Sequence, residues 1–494
     1  MSDSPVSRIP LIKVKLKEKG RIKDIKNIII RITGLQSCLN GQIVDFGTGV
    51  KGIVMGFNEE DVLVLALGDV GGLRMGQEVS GISEPFKIGV GDAYLGRMVD
   101  TMGLPCDGGP DITPTLMMPV LTESRTITER APVNQFLQTG TKMIDAMVPI
   151  GRGQRQLLIG DRMTGKTTVA VDAILSQKDR DVVCIYCCIG KSVSTLEKVV
   201  GVLKQRGALE YSIILASTDN SPAGEQYLAP FAAATLGDFF MRHGRHVLVV
   251  FDDLTKHAWA YRQLSLLLER SPGREAYPGD IFYVQTQLME RAGKLNDENG
   301  GGSMTFLGVA ETLQGDLTSY IPSNLISMCD GQVFFSTTRF SEGQRPAIDF
   351  GLSVSITGGK AQPPALREIT RTLRADYQNY SELVKISRLQ TTLSADAEKL
   401  LKRGETILAV LQQDQHRLAS LAEQVILLYA LEARRLDNLG RMEKDKFVGE
   451  IFALAEQQNK ALVAELNEGR ALTPKTRREL DELLDAYFAA APQV

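Results

Sequence analysis

The chain has 494 residues, 43% of them hydrophobic and 23% charged, with a net charge of −3. That is room for about two to four domains with cores of their own, and the near-neutral balance argues against a general nucleic-acid or acidic-membrane binder. Six cysteines in so long a chain make no disulfide framework, no signal peptide opens the sequence, and no apolar run is long enough to cross a bilayer, so a reducing, cytosol-like compartment is expected.

Residues 1–19 are polar and basic and are expected to form a solvated arm. From 20 to 84, short β-branched runs (27–32, 42–46, 52–55 and 61–67) are punctuated by Gly, Asn and Asp. That texture predicts a small β-barrel, a form that closes its own edges. Residues 85–150 are rich in Gly and Pro and less regular. From about 155 to 350, apolar strand-like runs alternate with helical patterns, which predicts an α/β domain on a parallel sheet. The strands are expected at 156–159, 182–189, 212–216, 246–251, 305–309 and 331–335.

The first of these strands leads into Gly160-Asp161-Arg162-Met163-Thr164-Gly165-Lys166-Thr167, a G-x-x-x-x-G-K-T phosphate loop, and then into a helical run. Strand, loop and helix in that order give the pattern its mechanism. The two outer glycines let the backbone wrap a phosphate chain, and exposed N–H groups at the helix start favour negative charge. Lys166 is expected to reach the terminal phosphates of ATP or ADP, and the Thr167 hydroxyl to take a place on Mg²⁺. A second element supports this one. Residues 246–251 form an apolar strand that delivers Asp252 at its carboxyl end, where ligands of open α/β sheets sit. Asp252 is expected in the Mg²⁺ shell.

Cys184, Cys187 and Cys188 invite a metal reading. They lie on one strand with 184 and 188 on one face and 187 on the other, and no second pair stands at finger spacing, so they read as small buried hydrophobes. The four histidines show no zinc-site spacing. Beyond about 358 the pattern turns helical. Ser394 is an expected N-cap, and Thr473-Pro474 supplies a cap followed by Pro at the first helical position. The expected division is an arm at 1–19, a barrel at 20–84, a nucleotide-binding domain at 85–370 and a helical bundle at 371–494.

This order of domains resembles the F-type ATP synthase alpha/beta family over nearly the whole chain. The resemblance rests on Gly151-Arg-Gly-Gln-Arg155 before the phosphate loop, Gln226-Tyr-Leu-Ala-Pro230, Phe251-Asp-Asp-Leu-Thr-Lys256, Ala260-Tyr-Arg-Gln-Leu-Ser-Leu-Leu-Leu268, Pro272-Gly-Arg-Glu-Ala-Tyr-Pro-Gly-Asp280 and Arg345-Pro-Ala347. These motifs are similar to those of the alpha chains. The resemblance implies a ring of three alpha and three beta chains around a central gamma stalk. It adds a peripheral stalk, an indirect link to a membrane rotor, and a place at the cytoplasmic face of a cell or organelle membrane. It implies no nucleic-acid partner. Alpha chains of the family hold nucleotide without turning it over, and the beta chains make or hydrolyse ATP. The resemblance also implies that Arg345 and Pro346 flank the adenine and that Gln413 and Gln415 meet its edge.

A catalytic site needs a carboxylate to orient or deprotonate water. Where beta chains carry that glutamate, this chain has Lys191, and family alpha chains usually have glutamine. Lys191 is expected to pair with phosphate and tighten nucleotide retention, against a plain reading as a solvated lysine. Two departures stand out. The family's Ser-Val-Ser-Arg arginine finger is here Ser353-Val354-Ser355-Ile356, with Lys360, Arg367 and Arg371 as nearby cations. The stator-binding helix expected before the barrel is replaced by the short arm. The missing finger implies either a divergent complex or a catalytically weakened ring, and with the short arm it fits a divergent branch of F-type ATPases coupled to H⁺ or Na⁺. The rivals are a catalytic ring ATPase of the flagellar or type III export kind, which would show Gly-Glu-Arg where Gly190-Lys191-Ser192 stands, and a nucleic-acid motor resembling transcription termination factor Rho, which would show aromatic and basic clusters.

Overall fold

The computed structural model describes residues 17–58, 60–387 and 394–490. Its first unit is a closed barrel of β1 (Lys17–Lys26), β2 (Ile29–Thr33), β3 (Gln42–Asp45), β4 (Lys51–Phe57), β5 (Asp61–Leu67) and β6 (Glu78–Pro85), in the order β1-β2-β5-β4-β3-β6. Residues 17–19, assigned to the arm by sequence, belong to β1. Lys17 to Lys19 pair with Ile82 to Ser80 of β6, and Glu18 accepts from the Gln36 and Ser37 N–H groups. Only Gly20 and Ile22 of β1 are buried, so its charged positions hide the strand pattern. Residues 1–16 of the expected arm lie outside the described residues.

β5 is buried along its whole length. Val62, Val64 and Ala66 fill the barrel, whereas Leu63, Leu65 and Leu67 pack into the core of the next domain. That is the period-two alternation of a strand with two apolar neighbours.

The central domain is built on a mainly parallel sheet. Its strands are β7 (Met98–Val99), β8 (Arg155–Gly160), β9 (Val182–Ile189), β10 (Ser212–Ser217), β11 (His246–Asp252), β12 (Ser303–Glu311), β13 (Gly331–Phe335) and β14 (Ile348–Ser355). The order is β14-β13-β8-β12-β11-β9-β10-β7, with β14 antiparallel at one edge. All six strands expected from sequence are present. They were legible because helices cover both faces and each strand reads as a near-continuous apolar run. Cys184 and Cys188 enter one core and Cys187 the other, as small hydrophobes.

Helices α1 (Lys166–Leu175), α2 (Ala223–Arg242) and α3 (Leu254–Leu267) carry the chain between strands. Then come α4 (Pro364–Ser387), α5 (Ala395–Leu411), α6 (Leu421–Glu432), α7 (Arg441–Gln458), α8 (Lys460–Asn467) and α9 (Pro474–Ala490). α4 begins before residue 371 and so runs across the expected boundary. Ser394 caps α5 by accepting from the Ala397 N–H, and Thr473 accepts from the Thr476 N–H at the start of α9.

His257 of α3 is wholly buried, stacked on Tyr227, with Nε2 3.1 Å from the Tyr227 carbonyl. Burial pulls its pKa down to about 4. The unfolded chain takes up this proton near pH 6.5, so the neutral imidazole favours folding above that pH and the benefit drains away as pH falls toward 4. His257→Gln is therefore expected to give a shallower decline of thermal midpoint between these values than wild type. An identical slope would show that the imidazole is already charged in the fold.

Candidate nucleotide site

The site begins where β8 ends. A Cβ at Gly160 would stand 2.3 Å from the Phe335 carbonyl oxygen of β13, so only glycine lets the two strands meet there. Gly165 has φ of 96°, the left-handed turn that swings the chain into α1. Between them, Asp161 is a brace. Its Oδ1 accepts from the Thr312 hydroxyl at 2.6 Å and the Gly315 N–H at 2.9 Å. Arg162 pairs with Glu311 at 2.8 Å, and the Thr164 hydroxyl donates to the Asp161 carbonyl. Met163 is 90% exposed on the rim.

Lys166 curls back over the loop, with Nζ 2.7 Å from the Gly160 carbonyl and 2.5 Å from that of Asp161. Burial lowers its pKa to about 8. A phosphate anion beside it would raise it again and favour the charged form. The Thr167 hydroxyl donates to Asp252 Oδ2 at 2.7 Å, and the buried Tyr186 hydroxyl donates to the same oxygen at 2.9 Å. Thr167 and Asp252 thus stand together as hard oxygen donors, a set that suits Mg²⁺.

Lys191 is not a solvated lysine, and its contact is not with the phosphate loop. Nζ lies 2.9 Å from Asp252 Oδ1 and 3.2 Å from Asp253 Oδ2, both carboxylates being fully buried. Burial works against its charge, but the two aspartates outweigh that and raise its pKa. Burial pushes Asp253 up to about 6, against the pull of Lys191. Asp253 also caps α3 through the Lys256 N–H at 2.8 Å. The pairing joins the ends of β9 and β11, which are neighbours in the sheet.

A cavity of about 590 Å³ opens beside the loop. Met163, Thr164 and Gly165 of the loop line it, together with Arg345, Pro346, Gln413 and Gln415. Seven of the twelve nucleotide candidates are therefore brought to one space, although they span 252 positions (415 − 163), while Gly160, Asp161, Arg162, Lys166 and Thr167 lie outside its lining. Phe340, Thr141 and Asp172 also line it and were missed. The Arg345 guanidinium lies 3.6 Å from the Phe340 ring centroid and donates to the Phe340 and Gln344 carbonyls. Asp172, an acid in an otherwise apolar helical run, holds the His416 ring at 2.8 Å; that misfit was its only sequence signal. Gln413 turns out to be committed. Its amide accepts from the Lys142 N–H at 2.9 Å and donates to the Gly140 carbonyl at 2.7 Å. Gln415 is the exposed glutamine of the two.

Ile356 belongs elsewhere. Ser355 pairs with Gly331 at the start of β13, whereas Gly160 pairs with Phe335 at its end. Ile356, 70% exposed, therefore sits at the end of the sheet opposite the chain's own phosphate loop. Of the nearby cations, Arg367 is tied to the Lys360 and Gln362 carbonyls, while Lys360 and Arg371 are exposed.

A barrel, a parallel sheet carrying a phosphate loop and a helical bundle that closes one wall of the cavity define a three-domain phosphate-loop nucleotide-binding protein. Family models agree on each part: the ATP synthase alpha/beta family beta-barrel domain at residues 15–81, its nucleotide-binding domain at 140–355 and its C-terminal domain at 362–487. The chain belongs to the ATP synthase alpha/beta family, on the side of its alpha chains. It is 42% identical over 468 residues to the ATP synthase subunit alpha of Clostridium botulinum (strain Alaska E43 / Type E3), covering 95% of this chain and 93% of that one. It is 44% identical over 480 residues to the alpha subunit of Lactiplantibacillus plantarum, covering 97% and 94%. The alpha subunit of Pediococcus pentosaceus is 44% identical over 459 residues, covering 93% and 91%. The export-type ATPase and the nucleic-acid motor are not favoured by these matches.

Proposed function

We propose that the cavity is a regulatory nucleotide site that holds ATP or ADP with Mg²⁺ and does not hydrolyse it. The observation that carries this reading is Lys191. At the place where a water-activating carboxylate would stand, an ammonium is locked between Asp252 and Asp253, and an ammonium so held has no lone pair to take a proton from water. Thr167 and Asp252 would hold the metal, which supplies charge neutralisation along the phosphates. Lys166 and the loop N–H groups position the phosphates, and Arg345, Pro346, Phe340 and Gln415 enclose the base.

On this reading the chain alternates with beta chains around a gamma stalk in the F1 sector of an ATP synthase, and reaches the cytoplasmic face of a membrane through other subunits. No helix among the described residues is long and apolar enough to cross a membrane. Ile356 is exposed and lies away from the chain's own site, which suits a contact with a neighbour in such an alternating ring.

The purified chain is expected to bind ADP and to show no multiple-turnover hydrolysis. Lys166→Ala should weaken ADP binding by about 100-fold, the size of one or two charge-assisted contacts, measured by equilibrium dialysis. Sustained hydrolysis by the lone chain, or an unchanged affinity in the variant, would overturn the assignment.

A further inference from the structure

The carboxylates at the end of β11 are unevenly satisfied. Asp252 Oδ2 takes the Thr167 and Tyr186 hydroxyls, and Asp253 Oδ1 takes the Lys256 N–H. Asp252 Oδ1 and Asp253 Oδ2 are buried and accept no hydrogen bond of good geometry. Both face the Lys191 ammonium, whose side chain is only 17% exposed. Buried carboxylates are strongly unfavourable without a facing cation, and here the chain provides one.

The segment that delivers this lysine is firmly placed. The Gly190 N–H donates to the Ser217 carbonyl at 2.7 Å, and the Lys191 carbonyl accepts from the Asp219 N–H at 2.9 Å. A Cβ at Gly190 would fall 2.8 Å from the Gln226 amide oxygen and 3.1 Å from Lys256 Cβ, so the backbone there is closely packed. A divalent ion drawn to Thr167 and Asp252 therefore approaches a carboxylate that already carries a positive charge 2.9 Å from its Oδ1. The two cations repel, and each does part of the other's work.

We propose that Lys191 is a built-in counter-charge that competes with a divalent cation for Asp252, so that this pocket holds a nucleoside di- or triphosphate almost as tightly without the metal as with it. The inference rests on the nucleotide-site reading above and adds to it a weakened dependence on Mg²⁺. Sites of this class usually rely on the metal to neutralise the phosphates. Here a fixed ammonium removes one negative charge from the aspartate pair and leaves the loop lysine to serve the phosphates.

The test measures ADP affinity of the full-length chain by equilibrium dialysis, in Mg²⁺ and in excess EDTA. Wild type should lose no more than about threefold on metal removal. Lys191→Gln should lose about tenfold or more, the worth of one charge-assisted contact. Lys191→Arg, which keeps the charge, should behave as wild type. Equal losses in wild type and Lys191→Gln overturn the proposal. If Lys191→Gln does not fold, a wild-type loss of about tenfold or more in EDTA overturns it, and a loss under about threefold, shared by Lys191→Arg, supports it. Absence of ADP binding under both conditions would instead overturn the nucleotide-site reading and, with it, this inference.

Discussion

Replacing Asp238 by alanine is expected to lower stability by about 3–5 kcal/mol, the usual result of stripping a buried cation of its anion. Asp238 lies in α2 and receives Arg291 Nη2 at 3.1 Å. The Arg291 side chain is 1% exposed. It also donates to the Val120 carbonyl at 3.0 Å, the Phe231 carbonyl at 3.2 Å and the Thr235 hydroxyl at 3.0 Å. These acceptors serve its two terminal nitrogens, leave Nε without a partner and do not balance its charge, and burial already works against the charged form. Arg242 is a second, half-exposed partner of Asp238 at 3.5 Å and gives no help once the aspartate is gone. Denaturant unfolding of wild type, Asp238→Ala and Asp238→Asn would read the effect, with the asparagine variant in between because it keeps an acceptor. A loss below about 1 kcal/mol, as for a surface pair, would show that water reaches the guanidinium.

The second large effect concerns catalysis in the assembled ring. Ile356→Arg is expected to raise ATP turnover of a ring rebuilt with its partner chains, on the order of 10³-fold if no other cation serves. Ile356 is exposed at the end of the sheet far from its own phosphate loop, and its N–H is held by the Asp330 carbonyl at 2.9 Å. A guanidinium projected from that point would supply the forked, planar charge that isoleucine lacks. Unchanged turnover would mean that another cation already reaches the neighbouring site. Lys360 and Arg371 are then the first to remove, since both are exposed, whereas Arg367 is committed to backbone carbonyls.

What could be read in advance followed the depth of burial. β9 and β11 announced themselves because neither face meets water, and the phosphate loop because its chemistry fixes both residue type and spacing. β1 stayed hidden because a barrel strand needs only a few inward residues, and Glu18, a charged residue on the same parity as buried Gly20 and Ile22, interrupts the apolar alternation. The site divided in the same way. Loop residues were visible as a local string. The Lys191 pairing was not, because it depends on which strand ends become neighbours in the sheet, and that is a property of topology. The commitment of Gln413 was invisible for the same reason: its partners at Gly140 and Lys142 lie in another domain. Phe340 lacked any pattern, and only the approach of Arg345 marks it.

One strand of the barrel has a mechanical corollary. Because Leu63, Leu65 and Leu67 are anchored among the helices of the sheet domain, with Leu65 pressed against Gly224 of α2, the cap of the molecule is no detachable lid. Trimming it away would leave a greasy scar on α2, and swivelling it would tear a shared seam. Large swings within this subunit must originate at its other end.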